Sequence, residues 1–98
     1  MENLNELMSL AKKVNDILEE ELLKNDIKPD FAEARIYNVK TVGVQGDERT
    51  YTYPAEITLY HNNRVIWNPD FLVRLSNKIT NEIKEINRVV YVLARREN

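Results

Sequence analysis

Apolar residues recur every three or four positions over the first quarter of the chain, which predicts an amphipathic α-helix. The stripe consists of Leu4, Leu7, Met8, Ala11, Val14, Leu18 and Leu22, widened by Leu10 and Ile17. Asn3 or Asn5 can cap its start, and we expect the helix to end near Asn25 and Asp26, ahead of Pro29. A coiled-coil seam has similar spacing, but this stripe covers only about three heptads, which favours packing against a sheet.

The pattern then changes to the alternation that is typical of β-strands. Residues 33–45 are predicted to form a first strand, with Ile36, Val42 and Val44 on one side and Tyr37 and Val39 on the other. Residues 50–60, rich in Thr, Tyr and Ile, predict a second strand. The composition of residues 61–63, His-Asn-Asn, predicts a turn, and residues 64–67 a short returning strand.

A second helix is predicted to begin at Asn68-Pro69-Asp70. Asparagine caps a helix well, proline suits the first helical position, and aspartate favours the positive end of the helix dipole. The predicted buried stripe of this helix is Leu72, Leu75, Ile79, Ile83 and Ile86. The apolar run "RVVYVL", residues 88–93, then predicts a strand that is covered on both faces.

These elements predict one small α+β domain over residues 1–98, in the order α-β-β-β-α-β, with a mostly antiparallel sheet. Both helices are expected on one face of the sheet, yet its strands carry apolar residues on both sides. Val90 and Val92 share one side of the last strand. An apolar face left uncovered usually marks an interface, and a symmetric homodimer is the common solution. The expected interface residues are Tyr37, Val39, Val89, Tyr91 and Leu93.

Composition narrows the possible chemistry. Hydrophobic residues make up 43% and charged residues 31% of the 98, and the net charge is −2, without the basic excess typical of nucleic-acid-binding modules. The absence of cysteine excludes disulfides, thiol catalysis and cysteine-bound zinc. No signal peptide or membrane-spanning run is expected, so we expect a cytoplasmic protein.

Conventional catalytic groups are scarce. His61 is the only histidine, and its place beside two asparagines in a turn indicates a solvated loop residue rather than a base. No metal-ligand cluster is recognisable, and no metal is expected. Neither common glycine-rich phosphate loop occurs, because "GVQG" lacks the Lys-Ser/Thr ending and interrupts strands.

Both glycines, Gly43 and Gly46, lie in the stretch "VGVQGDERTYTYP", residues 42–54. One interpretation is structural: Gly46 and Asp47 are typical of a tight turn. The other is a polar site, in which Lys40, Gln45, Asp47 and Arg49 hold an anionic ligand such as a nucleotide. Spacing alone favours the structural interpretation but leaves both open.

The stretch "YNVKTVGVQGDERTYTYP" resembles the strand-turn-strand signature of the C-terminal, dimerisation domain of GMP synthase, with its Val-Gly-Val-(Gln/Met)-Gly-Asp-x-Arg-x-Tyr core. The segments "AKKVNDILEEEL" and "FLVRLSNKITNEIKEINRVVYVL" are similar to the first helix and to the last helix and strand of that domain. The resemblance extends from about Leu7 to Leu93.

In that family a glutamine amidotransferase releases ammonia, and an ATP pyrophosphatase adenylates XMP so that ammonia can convert it to GMP. The resemblance implies a homodimerising domain that contributes a partial XMP site. It places XMP at Asp47 and Arg49, with Gln45 and Gly46 beside them. It also implies ATP pyrophosphatase and amidotransferase partners, with ATP and Mg used by the full enzyme and no cofactor bound by this chain alone.

Three departures from the family pattern bear on function. The Lys-Pro-Pro-x-Thr-x-Glu-Trp-Glu-like tail is not recognisable after "VLARREN", and the loop "HNNRVIWNPD" is shorter than usual. The Ser-Gly-Gly-Val-Asp-Ser pyrophosphate loop and the amidotransferase cysteine do not occur in these residues. We therefore expect no ligation by this chain alone. The alternative hypothesis is a structural self-association module without a ligand.

Overall fold

The computed structural model of the chain describes residues 4–39, 41–45 and 48–95. Two helices and five strands lie in these residues: α1 Leu4–Lys24, β1 Phe31–Ile36, β2 Thr41–Gln45, β3 Glu48–His61, β4 Arg64–Val65, α2 Pro69–Glu82 and β5 Ile86–Tyr91. The α+β class and the order of helices around the strands are as predicted. The first helix also ends where expected, since Asn25 and Asp26 follow it and Asp26 has a positive φ of 53°.

The 14-residue strand β3 organises the sheet, because each of the other four strands pairs with it. Strands β1, β2 and β4 are antiparallel to β3, and only β5 is parallel, which confirms a mostly antiparallel sheet. Strand β2 pairs with the first part of β3, and β1 pairs with its last part. One long strand therefore connects the β2–β3 hairpin to the body of the domain.

The predicted strand 33–45 is two strands, β1 and β2, and so that prediction was wrong in its continuity. Ile36 lies opposite Ala55 and Thr41 lies opposite Thr52, so four residues on one strand face two on β3. Pro54 is one of those two, and proline has no N–H to donate to a ladder. Its carbonyl still accepts a bond from the Tyr37 N–H at 3.3 Å. The ladder is interrupted where β3 lacks a donor.

Helix α2 begins as predicted and ends earlier than predicted. The Asn68 side chain accepts a hydrogen bond from the Phe71 N–H at 3.2 Å, and Pro69 follows the cap. The helix ends at Glu82, because Ile83 is a C-cap with extended backbone (φ −120°, ψ 101°), and Ile86 already belongs to β5. Both isoleucines are buried in the core, so their apolar spacing resembles a continued helical stripe.

Both helices cover the same face of the sheet. A single hydrophobic core contains the inner stripes of the two helices and alternate residues of β3: Leu10, Val14, Leu18, Leu22, Phe71, Leu75, Ile79, Tyr53, Ala55, Ile57 and Leu59. Because side chains alternate along a strand, the intervening β3 residues Glu56, Thr58 and Tyr60 point to the opposite face. We call that opposite side the open face of the sheet.

A half-buried amide anchors α1 to β1. The Asn15 side chain donates to the Ala34 carbonyl at 3.0 Å and accepts from the Ala34 N–H at 2.9 Å. The same Nδ2 donates to the Ala11 carbonyl at 2.8 Å. Asn15 thus acts as a substitute strand partner for Ala34, which satisfies backbone groups that would otherwise be buried without partners.

Ion pairs join the two helices at their surface. The Lys78 ammonium on α2 lies 3.2 Å from a Glu21 carboxylate oxygen and 3.5 Å from one of Glu20, both on α1. The hydrogen bond from Lys78 to Glu21 raises the pKa of Lys78, and the hydrogen bond and charge of Lys24 lower the pKa of Glu20. These pairs fix the register of α1 and α2, while burial of the apolar stripes supplies most of the stability.

Candidate functional site

The open face of the sheet is the first candidate site, and its character is mixed. Strand β1 contributes Phe31, Glu33 and Arg35, which lie opposite Tyr60, Thr58 and Glu56 of β3. Strand β5 contributes Val90 and the segment after it Val92. Glu33 and Arg35 pair at 3.0 Å, and the Tyr37 hydroxyl bonds the Glu56 carboxylate. The face combines apolar area with charges of both signs, and so it is less apolar than the sequence pattern predicts.

The five residues predicted for an interface divide into two groups. Tyr37, Val39 and Leu93 expose 42%, 63% and 60% of their surface, as interface residues of an unpaired chain would. Val89 and Tyr91 instead lie half-buried against the core on the helix-covered side. For these two the expected face was wrong, because Val89 lies opposite the buried Ala55. Val90 and Val92 occupy the open face in their place.

Tyr91 has a structural role at the edge of the core. Its hydroxyl donates to the Ile66 carbonyl at 2.5 Å, which links β5 to the segment after β4. Partial burial, with a smaller contribution from the nearby Tyr60, raises the pKa of Tyr91 to about 12. A tyrosine bonded in this way is a packing group rather than a general acid or base near neutral pH.

The Tyr91 environment predicts a specific loss of stability at high pH. The pKa of Tyr91 is raised from 10.0 to about 12 in the folded chain, so unfolding releases its proton between these values. Its stabilising contribution is complete below pH 10 and declines as the pH rises through about 12. Urea denaturation of the wild type and Tyr91→Phe should show a stability difference of about 1 kcal/mol at pH 9 that shrinks towards pH 12. A difference that is constant over this range would contradict the burial of the hydroxyl.

The predicted nucleotide-binding residues surround the end of the β2–β3 hairpin. Gln45 is the last residue of β2 and lies opposite Glu48, while Arg49 lies opposite Val44. Gly46 and Asp47 lie outside the described residues, and at Gln45 and Arg49 the structure describes only the backbone. The register therefore brings Gln45 and Arg49 to the same end of one hairpin. The role of these four residues in XMP binding stays a prediction.

His61 is an exposed residue at the opposite end of β3, as predicted. Its Nδ1 lies 3.3 Å from Asp30, whose other carboxylate oxygen accepts the Asn62 N–H at 2.7 Å. Asn62 and Asn63 have positive φ angles of 53° and 62°, as a two-residue hairpin turn between β3 and β4 requires. The Asp30 carboxylate thus stabilises a turn.

Metal and membrane binding find no support in the part of the chain that the structure describes. Within residues 4–39, 41–45 and 48–95, no three carboxylate or imidazole side chains are grouped so that they could hold a metal ion. Neither α1 nor α2, the helices of these residues, is both long and apolar enough to cross a membrane.

Comparison with known proteins connects these features to a family. The sequence profile of the GMP synthase C terminal domain matches residues 16–97. The glutamine-hydrolyzing GMP synthase of Borrelia garinii is 36% identical over 94 residues, which are 88% of this chain and 18% of that protein. That of Bacillus licheniformis is 34% identical over 96 residues, again 88% of this chain and 18% of the relative.

An archaeal relative is a separate subunit of its enzyme. This subunit of the glutamine-hydrolyzing GMP synthase of Thermococcus kodakarensis is 36% identical over 94 residues, which are 88% of this chain and 30% of the relative. The chain thus spans less than a third of the length of these relatives. Because the profile matches most of its residues, the chain belongs to the GMP synthase C-terminal domain family.

Proposed function

We propose that this chain acts in GMP synthesis as a homodimerising domain that contributes part of an XMP site. The observation that carries the proposal is the family match over residues 16–97. The relatives are several times longer than the matched region, so the ATP pyrophosphatase and amidotransferase activities would come from partners of this chain. ATP and Mg would bind to those partners. The domain would pair two synthase units and present XMP to them in the cytoplasm.

The open face supports pairing with a second copy. Neither helix covers it, and Val90 and Tyr37 remain 38% and 42% exposed. Acidic Glu33 and Glu56 lie on β1 and β3, whereas Arg88 is an exposed residue of β5. In a two-fold symmetric pair, the β5 side of one copy can face the β1 side of the other. Opposite charges would then meet around a partly apolar centre.

The β2–β3 hairpin supports the XMP site. In the family signature, Asp47 and Arg49 flank Glu48, the first residue of β3, and Gln45 ends β2 on the facing strand. A guanidinium binds phosphate through two parallel hydrogen bonds, so Arg49 would hold the XMP phosphate. Asp47 would accept hydrogen bonds from a ligand hydroxyl or N–H, and Gly46 would let the backbone approach the nucleotide closely.

Nucleotide titration of the chain together with its ATP pyrophosphatase partner tests the site. Replacing Asp47 and Arg49 together by Ala should weaken XMP binding by about 100-fold or more, because two charge-assisted contacts are lost. Arg64→Ala removes an equivalent charge at the opposite end of β3 and should leave XMP binding unchanged.

Two results would contradict the XMP site. Equal XMP affinity of the double variant and the wild type would exclude Asp47 and Arg49 as ligand contacts. A wild-type complex that dimerises but shows no XMP affinity would instead support a self-association module without a ligand.

A further inference from the structure

Strands β4 and β5 meet end to end along one edge of β3. The Val92 N–H donates to the Ile57 carbonyl at 3.0 Å, and the Ile66 N–H donates to the Leu59 carbonyl at 3.0 Å. Carbonyls two residues apart on a strand point to the same edge. The next acceptor along the path of β5 is therefore already occupied by the segment that follows β4. The chain beyond Val92 cannot extend the ladder.

After this point the chain turns over the open face. The Arg95 guanidinium lies 4.6 Å from the centre of the Phe31 ring and 5.2 Å from that of Tyr60, which are cross-strand partners on that face. A cavity of about 390 Å³ separates Arg95 from Glu33 and Thr58. Residues 92–95, which we call the strap, thus cover one end of the open face and leave its middle uncovered.

The two aromatic rings under Arg95 are the largest apolar groups at this end of the face. Aromatic side chains contribute strongly to protein interfaces because they bury much area with little loss of conformational freedom. In the single chain, Arg95 already occupies their outer surface through cation–π contacts. A second copy can bury Phe31 and Tyr60 only if Arg95 leaves them.

We propose that Phe31 and Tyr60 belong to the surface that receives a second copy of this chain, and that the strap competes with that copy through Arg95. This inference rests on the proposed dimerisation through the open face and adds to it. The dissociation constant of the dimer then includes the cost of displacing Arg95. Removing the guanidinium should make the dimer tighter, although it removes a side chain that borders the interface.

Sedimentation equilibrium of three variants tests the strap. Arg95→Ala should lower the dimer dissociation constant by about 5- to 30-fold, the equivalent of cation–π contacts with two rings. Arg95→Lys retains a weaker cation–π contact and should lie between Arg95→Ala and the wild type. Arg64→Ala removes the same charge away from the strap and should equal the wild type. Proton NMR adds a direct readout, since an upfield ring-current shift of the Arg95 δ-methylene should disappear as the wild type dimerises.

The outcomes separate the strap from the dimer itself. A dimeric wild type with an equal or weaker Arg95→Ala dimer would overturn the competition and leave the proposed dimerisation intact. Persistence of the ring-current shift in the dimer would overturn it as well. A wild type and variants that all stay single chains would overturn both proposals.

Discussion

Val90→Glu is expected to weaken dimerisation of the chain by roughly 100-fold or more. Val90 lies on the open face, 38% exposed, opposite Glu56 in the parallel β3–β5 ladder. The new carboxylate would face a like charge in the single chain. It would also lose water when a second copy covers the face, and an unpaired charge is costly to bury.

Sedimentation equilibrium of this variant beside Val73→Glu measures the effect. Val73 is a more exposed valine, at 59%, on α2, which covers the other side of the sheet. The control carries the same change in charge and size and should dimerise like the wild type. If Val73→Glu disrupts the dimer and Val90→Glu does not, the helices rather than the open face form the interface.

Asn15→Ala is expected to lower the free energy of unfolding by about 2–4 kcal/mol. The substitution removes the two hydrogen bonds to Ala34, whose residue surface is only 4% exposed. A buried N–H and a buried carbonyl are then left without partners, and each costs more than a typical surface bond contributes.

Urea denaturation of Asn15→Ala should be compared with Asn5→Ala, an exposed asparagine in the same helix, which should change stability by less than about 0.5 kcal/mol. Asn15→Asp keeps the acceptor for the Ala34 N–H and loses the donor to its carbonyl, so it should also be destabilising. An Asn15→Ala chain as stable as Asn5→Ala would contradict the anchoring role.

Local signals in the sequence predict several element boundaries correctly. Asn68 and Pro69 mark the start of α2 because capping and the missing proline N–H act within one turn. Asn62 and Asn63 mark the β3–β4 turn because asparagine tolerates positive φ. Such features depend on neighbouring residues alone, so they can be inferred without knowledge of the tertiary structure.

The errors arise where a pattern has two structural solutions. Alternation indicates that Val89 shares a side with Tyr91 and that Val90 shares one with Val92, but it does not identify which side the helices cover. Ile83 and Ile86 fit a helical stripe and a buried strand entrance equally well. Tertiary packing decides between these solutions.

Long-range contacts were the least predictable part of the site. The bond between Asn15 and Ala34 spans 19 positions, and its only trace in the sequence is a polar residue among the apolar positions of α1. The stacking of Arg95 on Phe31 depends on the path of the chain after β5, which no periodicity encodes. Asp47 and Arg49 were identified through a family motif, since spacing alone left their role open.

The mass of the wild-type chain at micromolar concentration is the most direct test of dimerisation, the central proposal. Sedimentation equilibrium should give twice the chain mass of 11.6 kDa, with dissociation on dilution. A constant 11.6 kDa over that concentration range would contradict it, because the open face would then stay in water without a second copy.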